Sequence, residues 1–117
     1  MNNHFTPVND SVELQSLFAL SAERPVVLFK HSLTCPISAA AYEEMSALDG
    51  DVSLIVVQRA RDVSREVERL TGIRHESPQA IILRRGRPVW NASHWKITRS
   101  AVEAAMRENV EGRSADR

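Results

Sequence analysis

Two unbroken apolar runs, separated by a stretch with helical spacing, constrain this chain more than any other feature. Pro25 to Lys30 and Val52 to Gln58 are short and rich in β-branched residues, the pattern of strands buried on both faces. Between them Ile37, Ala40, Ala41, Met45 and Leu48 recur at helical intervals from Pro36 to about Leu48, and Asp49-Gly50-Asp51 is a turn signal. Two parallel strands joined by a helix require a right-handed crossover. Downstream, Asp62 is placed to cap a helix carrying Val63, Val67 and Leu70, which Gly72 closes. Ala80 to Leu83 and Arg87 to Asn91 form a hairpin around Arg85-Gly86. Thr98 then caps a final helix from about Arg99 to Asn109, with Val102, Ala105 and Met106 inward. At the start, Asn9 or Asp10, with Glu13, caps a first helix whose apolar side is Val12, Leu14, Leu17, Phe18 and Leu20; Glu23-Arg24-Pro25 ends it. The order α-β-α-β-α-β-β-α predicts an α/β fold, a four-stranded mixed sheet flanked by helices on both faces.

Length and composition bound the rest. A chain of 117 residues fits one domain, 1–117, with residues 111–117 expected to fray. Its hydrophobic fraction of 43% suffices for a core without disulfides or structural metal. Fifteen basic residues balance fifteen acidic ones, which argues against a general nucleic-acid binder. The apolar stretches are too short to span a bilayer, and Met1-Asn2-Asn3-His4-Phe5 lacks the basic start and apolar run of a signal peptide. The expectation is a cytoplasmic protein with neither nucleic-acid nor membrane partners. Arg59, Arg61, Arg65 and Arg69, interleaved with Asp62, Glu66 and Glu68, form a solvated helix face, and Tyr42 with Glu43 and Glu44 reads as exposed helix surface.

The chain has a single cysteine, Cys35. No intramolecular disulfide, two-cysteine redox cycle or multi-cysteine zinc site is available to it. The four histidines lack ligand spacing, so no metal is expected. Cys35 lies where the first apolar run has ended and a helix begins, in Lys30-His31-Ser32-Leu33-Thr34-Cys35-Pro36-Ile37-Ser38. Pro36 suits a first helical position, which makes Cys35 the cap residue. Its sulfur then faces unpaired backbone N–H groups and the positive end of the helix dipole, both favouring thiolate. The dipole supplies only about 0.3–1 kcal/mol, so bonds from the N–H groups of Ile37 and Ser38, or the Ser38 hydroxyl, are expected to add to it. Lys30 and His31 add positive potential if they point towards the mouth. Ser38 stands where a Cys-x-x-Cys spacing would have its second cysteine.

Gly72-Ile73-Arg74, then Pro78, the apolar run Ala80 to Leu83 and the basic-Gly turn Arg85-Gly86 resemble the thioredoxin superfamily. That resemblance implies that Pro78 is a cis-proline facing the cysteine, with the backbone of Ser77 able to pair with a thiol substrate. One more residue separates Gly72 from Pro78 than in typical thioredoxins, so the approach loop differs. Three segments narrow the resemblance. Phe29-Lys30-His31-Ser32 with Thr34-Cys35-Pro36-Ile37-Ser38, then His75-Glu76-Ser77-Pro78-Gln79, then Ala92-Ser93-His94-Trp95-Lys96-Ile97-Thr98 together resemble the monothiol bacilliredoxins, the YtxJ-like bacillithiol-system proteins. Leu33 departs from the small or polar residue frequent there.

The resemblance implies a cytoplasmic monothiol disulfide oxidoreductase with no bound cofactor. Its partners would be S-thiolated proteins, and bacillithiol or a similar low-molecular-weight thiol would be its co-substrate. Cys35, Pro36, Ser38 and Pro78 would carry the chemistry, and Thr34, Lys30, His31, Ser77, His94 and Trp95 would hold the small thiol. Arg74, His75 and Lys96 could add positive charge for its malate group. Two alternatives stay open: a thiol-dependent iron–sulfur adaptor built on Cys35 from two chains, and a non-catalytic thioredoxin-fold interaction module with an inert cysteine.

Overall fold

The computed structural model describes residues 4–110; the tail expected to fray lies outside them. In chain order the elements are β1 (Phe5–Pro7), α1 (Ser11–Leu20), β2 (Val26–His31), α2 (Pro36–Ser46), β3 (Val52–Val56), α3 (Arg61–Thr71), β4 (Gln79–Arg84), β5 (Arg87–Ser93), a 3-10 turn (His94–Lys96) and α4 (Arg99–Glu108). The sheet is mixed and five-stranded, in the order β1-β3-β2-β4-β5. This corrects the expected four strands. The added strand, β1, pairs parallel to β3 with Phe5 opposite Val52 and Pro7 opposite Leu54. Three residues are too few to show an alternating pattern, and Pro7 is tolerated there because β1 is an edge.

β2 runs parallel to β3 and antiparallel to β4, so both its flanks are paired. Its side chains alternate between two cores. Val27 and Phe29 join Ala41, Met45, Val102 and Ala105 under α2 and α4. Val26 and Leu28 join Leu14, Leu17, Val63 and Val67 under α1 and α3. Cover on both faces explains why the run is apolar without interruption.

The caps are mostly those the sequence suggests. Asp10 Oδ1 accepts from Glu13 N–H at 2.8 Å, and Thr98 Oγ1 accepts from Ala101 N–H at 3.2 Å. Gly72 ends α3 in the left-handed region at φ 73°, where a side chain would be strained. Arg85 and Gly86, at φ 60° and 75°, make the hairpin turn whose twist suits the flanking strands. Asp62 is an exception: α3 begins at Arg61 with Ala60 as its cap, and Asp62 lies in the first turn, paired with Arg65. Val12 and Leu70 are exposed, so the apolar sides of α1 and α3 are narrower than expected. Tyr42 is half-buried, its ring stacked on Phe5 at 4.6 Å and tilted against His31 at 4.8 Å between centroids. The edge strand that escaped the sequence reading supplies the ring that covers it. Among the described residues no helix is long and apolar enough to cross a membrane.

Candidate functional site

Cys35 is the N-cap of α2, placed just past the C-terminal end of β2 by the loop Ser32–Thr34. It is partly exposed and free, and Pro36 occupies the first helical position. The Cys35 carbonyl accepts from Ala39 N–H at 3.0 Å, but its side chain makes no capping hydrogen bond. The expected bonds to the thiol from Ile37 and Ser38 are therefore absent here. The sulfur is left free to meet another sulfur.

Ser38 is fully buried and committed elsewhere. Its Oγ accepts from Ser32 N–H at 2.9 Å and lies 2.8 Å from His31 Nδ1. One hydroxyl satisfies both partners when it accepts from Ser32 and donates to an unprotonated Nδ1. Burial pushes His31 below its ordinary value, with a backbone hydrogen bond at Ser38 opposing the shift, which fits a neutral ring. The residue in the second-cysteine position thus locks the cysteine loop onto α2. Gln58, just past β3, holds the same loop from the other side. It accepts from Leu33 N–H at 3.1 Å and donates to Ser32 Oγ at 2.9 Å. Gln58 was missed as a site residue, although a polar side chain beyond a buried parallel strand, beside the strand leading to Cys35, was the available signal.

The Ser77–Pro78 peptide bond is cis, and Pro78 is buried just before β4. The Pro78 carbonyl accepts from His94 N–H at 3.1 Å, which joins the segment to the 3-10 turn. A family model described as Monothiol bacilliredoxin BrxC matches residues 6–102.

The chain belongs to the monothiol bacilliredoxin family.

Solved structures share the fold. A thioredoxin-fold protein described as a candidate oxidoreductase is 32% identical, with a TM-score of 0.81, over 87% of this chain and 93% of its own. Thioredoxin from Schistosoma mansoni, in its reduced form, is 15% identical with a TM-score of 0.67 over 92% of this chain and all of its own. Thioredoxin h from Nicotiana alata is 17% identical with a TM-score of 0.66 over 95% and 96% of the two chains. The last two show the fold alone. The bacilliredoxin family and its oxidoreductase relative give the chain a thiol-redox role.

The other expected site residues of this bacilliredoxin fall into two groups. Thr34, His94 and Trp95 are exposed, Trp95 by 67%, and α2 packs against the 3-10 turn that carries His94 and Trp95. His94 adopts φ 57° and sits 3.9 Å from a carboxylate oxygen of Glu76. Arg74, His75 and Lys96 are exposed as well. Lys30 and His31 do not point to the mouth: Lys30 is fully buried on the α1–α3 face, and His31 lies beneath α2. β2 alternation sets them on opposite faces, with Lys30 following Val26 and Leu28. A cleft of about 510 Å³ lies at the other end of the sheet, lined by Leu17, Leu20, Arg24, Val26 and Met106, and includes none of these residues.

Proposed function

We propose that this bacilliredoxin removes bacillithiol, or a similar low-molecular-weight thiol, from protein mixed disulfides, using Cys35 alone. The observation that carries the reading is a partly exposed lone thiol at a helix cap, with a serine committed to structure in the second-cysteine position. The Cys35 thiolate attacks the small-thiol sulfur of the mixed disulfide. A new Cys35–small-thiol disulfide forms, the old bond breaks, and the substrate's sulfur leaves as thiolate and takes up a proton. A second small-thiol molecule, as thiolate, then attacks the sulfur bound to Cys35. The products are the symmetric small-thiol disulfide and the Cys35 thiolate, so the substrate's sulfur is reduced to a thiol as the one incoming small thiol is oxidised, and Cys35 is unchanged over the cycle. No second cysteine is needed at any step.

Ser77 and Pro78 offer backbone edges to the substrate, and Thr34, His94 and Trp95 offer the exposed wall against which a small thiol would lie. The positive end of α2 supports the thiolate as it attacks and leaves. The test is steady-state reduction of a protein–bacillithiol mixed disulfide in the presence of free bacillithiol. Wild-type protein should turn over, and Cys35→Ser should show only the uncatalysed rate. Equal rates for the two would overturn the reading.

A further inference from the structure

Lys30 is 0% exposed, and among the described residues no carboxylate forms an ion pair with it. Its Nζ donates to the Ser64 carbonyl at 3.1 Å and lies 3.0 Å from His75 Nδ1. An ammonium has donors only, so Nδ1 accepts, the imidazole proton sits on Nε2, and the ring is neutral. The Ser64 hydroxyl reaches the same Nδ1 at 3.1 Å. Two further side chains hold the same loop. Gln79, the partner of Lys30 across the β2–β4 ladder, donates from Nε2 to the Arg74 carbonyl at 3.0 Å. Glu68 of α3 accepts from His75 N–H at 3.1 Å. Side chains from β2, β4 and α3 thus converge on Arg74 and His75, just ahead of Pro78.

A buried ammonium without a carboxylate partner is costly, and a linear apolar side chain would fill the same space without that cost. What Lys30 supplies instead is a pair of hydrogen bonds, one to α3 and one to a histidine of the loop.

We propose that Lys30 is a positioning residue, which ties the Arg74–Pro78 loop through His75 to the sheet and α3 and so fixes the edge that receives the protein half of the mixed disulfide. This rests on the function proposed above, in which Ser77 and Pro78 meet the substrate. Charges facing the pair do not disturb it near neutral pH. Burial lowers Lys30 to about 8 while Glu68 opposes the shift, and burial together with Lys30 lowers His75 while Glu68 and Glu76 oppose it. A charged Lys30 and a neutral His75 therefore coexist near neutral pH, below about 8.

The test uses Lys30→Met, which keeps the length and apolar fill, and His75→Ala at an exposed position that does not threaten folding. Four quantities are read: KM and kcat for a protein–bacillithiol mixed disulfide, the Cys35 alkylation rate with iodoacetamide, and hydrogen exchange at the residue 75 amide, which Glu68 holds. Each variant should raise KM by roughly tenfold, as expected for a displaced substrate edge, with kcat and alkylation changed less than about twofold. The double variant should be no worse than either single one, because both break one link. Exchange at the residue 75 amide should quicken in both variants even if no form of the protein turns over this substrate. That last pattern would sink the functional reading and leave the tether standing. Unchanged KM in both variants of an active protein, or unchanged exchange, would overturn the tether.

Discussion

Lys30 and Arg84 are two buried cations at opposite ends of the same sheet, and they are held in different ways. Arg84, 8% exposed at the end of β4, donates from one guanidinium nitrogen to the carbonyls of Ser21 and Ala22 at 3.0 and 2.9 Å, and from another to Val110 at 3.4 Å. These carbonyls follow the C-termini of α1 and α4, where a cation also meets the negative end of each dipole. Its partners are all backbone at helix ends, and its role is to close that end of the fold. Lys30 makes one backbone bond and spends its other contact on a histidine of the loop that leads to Pro78. Burial alone therefore does not separate a structural cation from a functional one. The partners differ: helix-end backbone for Arg84, and a loop side chain together with one backbone carbonyl for Lys30.

The comparison can be broken by substitution. The largest effect should come from Cys35→Ser, which removes the attacking sulfur and is expected to abolish turnover while leaving thermal unfolding nearly unchanged. Next comes Arg84→Met. It removes three hydrogen bonds to helix-end carbonyls and leaves the buried end of β4 without its cation, and should cost about 2–3 kcal/mol in denaturant unfolding, with activity per folded molecule retained. Lost activity at full stability would show that the two poles are not separate.

Lys30 should show the opposite balance. Its folded value of about 8 lies below the ordinary 10.5, so the unfolded chain binds more protons between these limits. Stability should rise with pH over that interval, by about 1–3 kcal/mol, and the rise should vanish in Lys30→Met. His31 and His75 are also depressed, so their stabilising contributions are complete above 6.5 and fade as pH falls through the lower folded values. The smallest effect on stability should belong to Trp95→Ala, within about 0.5 kcal/mol because the ring is largely exposed. If Trp95 forms part of the small-thiol wall, KM for the mixed disulfide should nonetheless rise severalfold in steady-state kinetics.

The pole around β2 was largely legible in the sequence. An unbroken β-branched run, a Cys-Pro at a helix start and a proline before a second run carry their own geometry, since each depends on neighbours within a few residues. What depends on distant partners was not legible. β1 is visible only through its pairing with β3, and Tyr42 only through Phe5, which that strand carries. Lys30 is the instructive case. Its position at the end of a strand suggested an exposed charge, yet its parity with Val26 and Leu28 already assigned it to the inner face. Ser64 and His75, which make that face tolerable for an ammonium, lie 34 and 45 residues away. No local pattern announces such partners.

Transfer of a small thiol to one sulfur is the central step of the proposed cycle, and intact-protein mass spectrometry during de-thiolation observes that transfer most directly. A substrate carrying bacillithiol would be mixed, without free thiol, with wild-type protein or Cys35→Ala. The bacillithiol mass should leave the substrate and appear on the wild-type chain alone, then disappear when free bacillithiol is added. If the substrate is readily reduced by other thiols but this chain never gains the mass, the monothiol cycle at Cys35 is contradicted.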